Sequence, residues 1–213
     1  MNVCMFLLCL SAMMPNKEEK KKPVDYVNPF IGTKSMGHTF PGACVPHGAV
    51  QLSPDTENVS HNINGVYQKD TYRYCAGYQY DDETIVGFSH THMSGTGHSD
   101  LGDILLMPTT GDLKLVPGTA DRPEEGYRSR FTHEAEKASP GYYEVALQDY
   151  DIRVQLTATE RVGVHKYTYP AGMTKGHVIV DLLHGIYNYD GKVLWANLRV
   201  ENDTLLTGYR ITR

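Results

Sequence analysis

Three histidines and two aspartates lie close together in the segment Gly87–Asp103, and side chains of these types bind metal ions or polar ligands. His90 and His92 are two residues apart, so on a strand they share one face, an arrangement used by zinc sites. The other members of the set are His98, Asp100 and Asp103. The spacing leaves three interpretations open: a zinc site at His90, His92 and His98, a pocket whose imidazoles hydrogen-bond ligand hydroxyls, or histidines that only brace loops.

A second unusual segment is Asn28–Gly48, which is dense in glycine and proline and contains His38 and His47. Glycine and proline at this density impose an irregular backbone and allow another group to approach it closely. Functional loops have this composition, but so does a structural plug that caps one end of a sheet. Both interpretations remain open from the residues alone.

No nucleophile or acid pair stands out elsewhere in the chain. The G-x-S-x-G pattern of serine hydrolases is missing, and the neighbouring carboxylates Asp81–Glu83 and Glu124–Glu125 are typical of solvated turns. We therefore assign neither a catalytic residue nor a metal ligand in this sequence.

Composition limits the class of protein. The chain has 213 residues, of which 40% are hydrophobic and 21% charged, so a packed core is expected. The net charge is −5, and lysines cluster only in residues 17–22, which argues against nucleic acid as a partner. The 15 tyrosines and 20 glycines suit sheets and polar ligands such as sugars. The four cysteines form neither a disulfide framework nor a CxxC zinc pattern.

Period-2 alternation of apolar residues predicts strands throughout the body of the chain. Tyr143–Leu147 and Ile152–Ala158 alternate strictly, and Asp149–Asp151 between them predicts a tight hairpin. Further predicted strands are Ala49–Leu52, Thr84–Ser89, Asp103–Met107, a run from Val162, a more buried His177–Leu183, Lys192–Val200 and Thr204–Thr212. Trp195 is expected in the core. The pattern predicts an all-β, antiparallel β-sandwich.

The ends of the chain predict export and truncation. Residues 1–15 resemble the apolar part of a signal segment, and Cys9 is a candidate for lipidation, so a periplasmic or cell-surface protein is expected. The apolar run is too short to span a bilayer. Residues 16–23 form a charged linker, and residues 24–213 form the folded domain. Because the last strand runs to Arg213 without a closing turn, we expect the natural protein to continue.

Long stretches of the sequence resemble glycoside hydrolase family 92. The resemblance rests on VNPFIGT, GHTFPGACVPHGAVQLSPDT, GYQYDDETIVGFSHTHMSGTGHSDLGDILLMPTTG and FTHEAEKASPGYYEVALQDYDIRVQLTATERVGVHKYTYP, and it covers roughly residues 24–213. The family consists of calcium-dependent exo-α-mannosidases, common in gut Bacteroidetes, that process glycans such as N-glycans.

The resemblance implies an N-terminal β-sandwich followed by an α/α-toroid domain, with the active site between them. It implies cleavage of terminal α-mannosides with inversion, in which one carboxyl group protonates the leaving oxygen and another activates water. Both carboxylates and the main calcium ligands belong to the toroid domain, which this chain lacks. The resemblance therefore implies that this chain is inactive alone.

The same resemblance assigns part of the sugar pocket to two loops of this chain, Gly37–Gly42 and Ser94–Gly97. The residues expected to contact substrate are Gly37, His38, Phe40, Pro41, His90, His92, Ser94, Gly95, Gly97, His98 and Asp100. His98 stands where some α-1,2-specific members have a tryptophan, which leaves α-1,3 or another linkage open. The rival classes are a stand-alone carbohydrate-binding module and the zinc site at His90, His92 and His98.

Overall fold

The computed structural model describes residues 20–95, 101–186 and 188–213. The predicted signal segment, the first half of the linker, and Gly97, His98 and Asp100 lie outside these ranges. Within them, no helix is long and apolar enough to cross a membrane.

Strands make up nearly all of the regular structure in these ranges. They are β1 (Ala43–Cys44), β2 (Gln51–Asp55), β3 (Asn62–Ile63), β4 (Val66–Tyr67), β5 (Thr84–Ile85), β6 (Gly87–Ser89), β7 (Leu105–Thr110), β8 (Ser129–Arg130), β9 (Glu136–Ser139), β10 (Tyr142–Leu147), β11 (Ile152–Ala158), β12 (Gly163–Thr168), β13 (Gly176–Asp181), β14 (Val193–Asn202) and β15 (Leu205–Thr212). Short 3₁₀ helices occur at Pro23–Tyr26, Lys69–Tyr74, Pro123–Glu125 and His133–Ala135.

Two antiparallel sheets form the body of the molecule, which confirms the predicted all-β fold. One sheet has the strand order β1-β2-β6-β7-β13, and the other has the order β12-β11-β10-β9. The predicted hairpin joins β10 to β11, with Leu147 opposite Ile152. Because the order of the five-stranded sheet is not sequential, residues far apart in the chain become neighbours on its surface.

The core lies between the two sheets. Each strand sends alternate residues inward. The five-stranded sheet contributes Leu52, Phe88, Leu105 and Met107, and the four-stranded sheet contributes Tyr143, Val145, Leu147, Ile152, Val154 and Leu156. The inward positions predicted for β10 and β11 are confirmed, although Glu144, predicted on the outward face of β10, is also buried.

Two predictions about burial are wrong. Strand β13 is half-exposed rather than strongly buried, because it is the edge strand of its sheet. Trp195 is 61% exposed, because β14 pairs only with β15 and this hairpin stands apart from the core sheets.

Candidate functional site

Strand β2 carries the polar residues on which the candidate site is built. Leu52 packs into the core, so strand alternation places Gln51, Ser53 and Asp55 on the opposite face of the five-stranded sheet. Ser89 of β6 pairs with Ser53 and lies on that same face. Asp55 and Ser89 have no exposed surface, so loops cover this face.

Two histidines share the Asp55 carboxylate. Its Oδ1 accepts a hydrogen bond from Nε2 of His92, and its Oδ2 accepts one from Nε2 of His184, each over 2.8 Å. All three side chains are completely buried. Burial by itself raises the pKa of the Asp55 carboxyl, but the charges and hydrogen bonds of the two imidazoles outweigh burial and bring that pKa far below its ordinary value. Asp55 is therefore ionised at physiological pH.

His92 carries a proton on each ring nitrogen. Its Nε2 faces the Asp55 carboxylate, and its Nδ1 lies 2.7 Å from the carbonyl oxygen of Gln51, which only accepts hydrogen bonds. A ring with acceptors at both nitrogens is an imidazolium. His92 and Asp55 thus form a buried ion pair, in which the charge of each compensates the desolvation of the other.

Ser89 lies beside His92 but does not form a nucleophile with it. Its Oγ is 3.3 Å from Nε2 of His92, the same nitrogen that donates to Asp55. A general base holds the carboxylate with one nitrogen and the serine with the other. The arrangement is therefore an ion pair with a nearby hydroxyl and has no Ser-His-Asp geometry.

His184 connects this ion pair to the C-terminal hairpin. Its carbonyl oxygen accepts a hydrogen bond of 2.6 Å from Nη1 of Arg210 on β15. Nη2 of Arg210 forms an ion pair of 3.1 Å with Oδ1 of Asp103, and only 4% of the Arg210 side chain is exposed. Burial lowers the pKa of the Arg210 guanidinium, although Asp103 and Asp181 oppose the shift. Nδ1 of His184 is buried without a hydrogen-bond partner.

The two glycine-rich segments lie side by side above this network. The N–H of Gly95 donates to the carbonyl oxygen of His38 over 2.8 Å. The Phe40 ring packs against the His92 ring, with centroids 5.3 Å apart. The two loops that the sequence marked separately therefore form one surface.

His38 occupies a strained position in the first loop. Its φ is +53°, in the left-handed region. Its ring meets the edge of Tyr72, with centroids 4.8 Å apart, and its Nε2 is buried without a hydrogen-bond partner. Burial lowers the pKa of His38, which favours a neutral imidazole. A neutral ring with an unpaired nitrogen is suited to hydrogen-bond a ligand hydroxyl.

Glycine is required on either side of His38 because other backbone approaches closely. A Cβ at Gly37 would lie 2.1 Å from the carbonyl oxygen of Gly32. A Cβ at Gly42 would lie 2.2 Å from the carbonyl oxygen of Leu52. Neither oxygen can move without displacing the chain, so the glycines of this loop are explained by packing.

His90 does not share a face with His92, which overturns that expectation. Strand β6 ends at Ser89, so the alternation stops before His92. Nδ1 of His90 donates to the carbonyl oxygen of Ile104 over 2.7 Å, and its Nε2 meets Nε2 of His165 in the other sheet over 3.0 Å. Both nitrogens of His90 are thus occupied within the protein, which favours the bracing role for this residue.

The predicted substrate-contacting residues differ in their exposure. Those that are exposed are Gly37, Ser94 and Gly95; those half-buried are Phe40 and His90; those buried are His38, Pro41 and His92. Gly97, His98 and Asp100 lie outside the described residues. The surface formed by Gly37–Gly42 and His92–Gly95 is the candidate site.

Metal binding finds no support in the described ranges. No group of three or more His, Cys, Asp or Glu side chains there is arranged to hold a metal ion. His90 and His92 belong to separate hydrogen-bond networks, and His98 is not described. The zinc interpretation is therefore unsupported.

Sequence reasoning missed Asp55, His184 and Arg210. Asp55 and His184 are 129 residues apart, and no spacing rule connects them. The one available signal was an aspartate ending a strand that otherwise reads as buried, since such a carboxylate requires partners.

The sequence profile of the Glycosyl hydrolase family 92 N-terminal domain matches residues 26–213. This chain belongs to glycosyl hydrolase family 92. The family α-mannosidase BT3965 from Bacteroides thetaiotaomicron is 43% identical with a TM-score of 0.78, and the match covers 88% of this chain and 23% of that one. The same enzyme solved with mannoimidazole gives 42% identity and a TM-score of 0.77.

More distant relatives also match most of this chain. The family 92 glycosyl hydrolase ccman5 is 28% identical with a TM-score of 0.66, over 87% of this chain and 24% of its own. An uncharacterized secreted glycosidase from Arthroderma benhamiae is 26% identical over 170 residues, which is 74% of this chain and 19% of the relative. The chain thus spans less than a quarter of the length of each of these proteins.

Proposed function

We propose that this chain is the substrate-shaping N-terminal domain of an exported, exo-acting α-mannosidase that hydrolyses terminal α-mannosides of glycans with inversion. The single observation that carries the proposal is the meeting of His38, Phe40 and Gly95 on one loop surface above a buried charge network. A 42% identical relative was solved with mannoimidazole, a mannose-like ligand, which supports mannose as the sugar.

The catalytic carboxylates are supplied from outside this chain. Asp55 is held by two histidines, and Asp103 by Arg210 and by the hydroxyl of Thr91. An inverting pair needs one protonated and one ionised carboxyl group about 6.5–9.5 Å apart with room for water. Carboxylates bound on both oxygens to protein donors are poorly suited to either role. In the proposed enzyme the pair lies in the α/α-toroid domain.

Calcium is proposed only for the remainder of the enzyme. The donors that calcium prefers are carboxylate and carbonyl oxygens in a set of six to eight. The described residues contain no cluster of acidic or imidazole side chains that fits a metal ion.

The test compares this chain with the product of its complete reading frame on α-1,2- and α-1,3-linked mannobiosides, with calcium and with a chelator. We expect mannose release only from the complete protein and only with calcium. NMR of the first product should show β-mannose, because inversion of an α-mannoside yields the β-anomer. Release of mannose by the 213-residue chain alone would contradict the proposal that the catalytic carboxylates are supplied from outside this chain. A complete protein inactive on every mannoside would contradict the proposed function, and α-mannose as first product would contradict inversion.

A further inference from the structure

The side chain of Asp55 connects three separate segments of chain within the described site. It ends β2, its Oδ1 holds His92 of the second loop, and its Oδ2 holds His184 of the turn after β13. A fourth segment packs against it, since a Cβ at Gly77 would lie 2.2 Å from Oδ1. The space beside this carboxylate oxygen therefore admits only a glycine.

The charges in this cluster require a carboxylate at position 55. His92 has an acceptor at each nitrogen and is an imidazolium, and His184 donates a proton to the other carboxylate oxygen. The negative charge of Asp55 compensates the imidazolium in a region closed to water. An amide at position 55 keeps the shape but leaves the imidazolium without a counter-ion, and it offers a donor where one histidine already donates.

Through His92, the carboxylate determines where the candidate sugar-contacting groups lie. The Phe40 ring rests on the imidazolium, and three residues beyond His92 the N–H of Gly95 holds the carbonyl oxygen of His38. A shift of His92 therefore moves Phe40 and loosens the contact between the two loops.

Through His184, the same carboxylate holds the far end of the second loop. The N–H of Ile186 donates to the carbonyl oxygen of Leu101 over 2.8 Å. A Cβ at Gly102 would lie 2.6 Å from the backbone nitrogen of Ile186, so the two backbones are in direct contact. His92 and Leu101 are thus both anchored, directly or through one turn, to Asp55.

We propose that Asp55 is a positioning residue for glycan recognition: by pairing with His92 and His184 it sets the place of Phe40, His38 and Gly95. It does not touch the substrate itself, because it has no exposed surface. This inference rests on the proposed function, since it assumes that the two loops contact a mannoside.

Glu136 provides a matched control for a substitution of Asp55. Its carboxylate is also buried, and it accepts hydrogen bonds from Tyr78 over 3.0 Å, Tyr143 over 2.6 Å and His133 over 2.7 Å. It lies on β9 and has no contact with either loop among the hydrogen bonds of the described residues. Asp55→Asn and Glu136→Gln each remove one buried negative charge, so both are expected to lower the melting temperature.

The first measurement is NMR on this chain. In Asp55→Asn we expect displaced signals of the Phe40 ring and faster hydrogen exchange at the Gly95 amide, with both left unchanged in Glu136→Gln. The second measurement is kinetics of the complete enzyme below the melting temperature of each variant. We expect kcat/KM on mannobiosides to fall about tenfold or more in Asp55→Asn and to stay within about threefold of wild type in Glu136→Gln.

If Asp55→Asn does not fold, His184→Gln and His184→Leu replace it, because glutamine retains an amide donor for Asp55 and leucine does not. We expect displaced Leu101 and Gly102 amide signals in His184→Leu and near-native ones in His184→Gln. Unchanged loop signals in both Asp55→Asn and His184→Leu, or equal kinetic losses in Asp55→Asn and Glu136→Gln, would overturn the proposal. An inactive wild-type enzyme would instead overturn the proposed function, while the NMR result would still decide whether Asp55 positions the loops.

Discussion

Nε2 of His165 on β12 donates a hydrogen bond to Nε2 of His90 over 3.0 Å, across the gap between the two sheets. The donor in this hydrogen bond is identified by the partners of the two Nδ1 atoms. His90 uses its Nδ1 proton for the carbonyl oxygen of Ile104, and Nδ1 of His165 accepts from the Tyr167 hydroxyl over 2.8 Å. Every group is satisfied when both imidazoles are neutral, so the buried series needs no charge on either ring.

The first prediction is that acid destabilises the domain through this pair. Burial, with the neighbouring His90, lowers the pKa of His165 to about 3, and burial also lowers the pKa of His90. A histidine in the unfolded chain has a pKa near ~6.5. Below that pH the unfolded chain therefore binds protons at these two rings that the folded chain does not bind. The contribution of these two rings to the free energy of unfolding is therefore fully present above pH ~6.5. As the pH falls from there toward the folded pKa, the free energy of unfolding decreases by up to ~1.4 kcal/mol per pH unit for each ring.

Urea unfolding at several pH values between 7 and about 4 measures this slope. His165→Gln, which keeps a donor and an acceptor, should flatten it. His177→Gln, on the edge strand β13, serves as the control and should leave it unchanged. The same slope in wild type and His165→Gln would show that other groups cause the acid sensitivity.

The second prediction concerns the space around Asp55. Gly77 has φ +86°, and a Cβ there would lie 2.2 Å from Oδ1 of Asp55. Gly172 has φ +75° and nothing within 4 Å of its Cβ position. Both alanine substitutions incur the left-handed cost of about 1 kcal/mol, but Gly77→Ala also disturbs the buried ion pair and should cost at least ~2 kcal/mol more. Equal losses in chemical denaturation would indicate that the carboxylate has room to move.

The third prediction separates the roles of two histidines in the complete enzyme. His38 lies in the first glycine-rich loop and has a buried, unpaired Nε2. His38→Ala should lower kcat/KM on every linkage, because a buried polar partner of the sugar is lost. The expected loss of transition-state stabilisation is about 1–3 kcal/mol.

His98→Ala should instead change the ratio of rates between linkages more than the rate on an aryl mannoside, whose leaving group is not a sugar. Kinetics on two mannobiosides and one aryl mannoside, with melting curves for both variants, make the comparison. A uniform loss on all substrates together with lower stability would mean that both histidines only support the loops.

The fourth prediction is that the isolated chain self-associates. Trp195 and Ile211 are opposite each other in the β14–β15 hairpin, and their side chains are 61% and 51% exposed. Apolar side chains on a two-stranded sheet with open edges favour contact with a second molecule. Sedimentation velocity should show concentration-dependent association, which Trp195→Ser with Ile211→Thr reduces. The control Leu115→Ser, which removes an exposed leucine elsewhere, should not reduce it, and a wild-type monomer at every concentration would contradict the prediction.

Local patterns determined most of the strands and the identity of the core. The alternation along Tyr143–Leu147 and Ile152–Ala158 assigned the apolar core positions correctly, because the side-chain period of a strand depends only on its own backbone. Local patterns failed where exposure depends on neighbours. The strand pattern around Trp195 resembles that of a core strand, but its hairpin pairs with neither main sheet.

The sequence by itself determined the family, the sheet class and the two loops, since glycine and proline impose an irregular backbone wherever they occur. Only the tertiary structure decided which groups support those loops. Asp55 meets His92 and His184, which are 37 and 129 residues away, because a non-sequential strand order and the turn after β13 bring them together. It also separated His90 from His92, because β6 ends between two histidines whose spacing predicts a shared face. A contact between distant segments depends on the order of strands in the sheet, which no local period encodes.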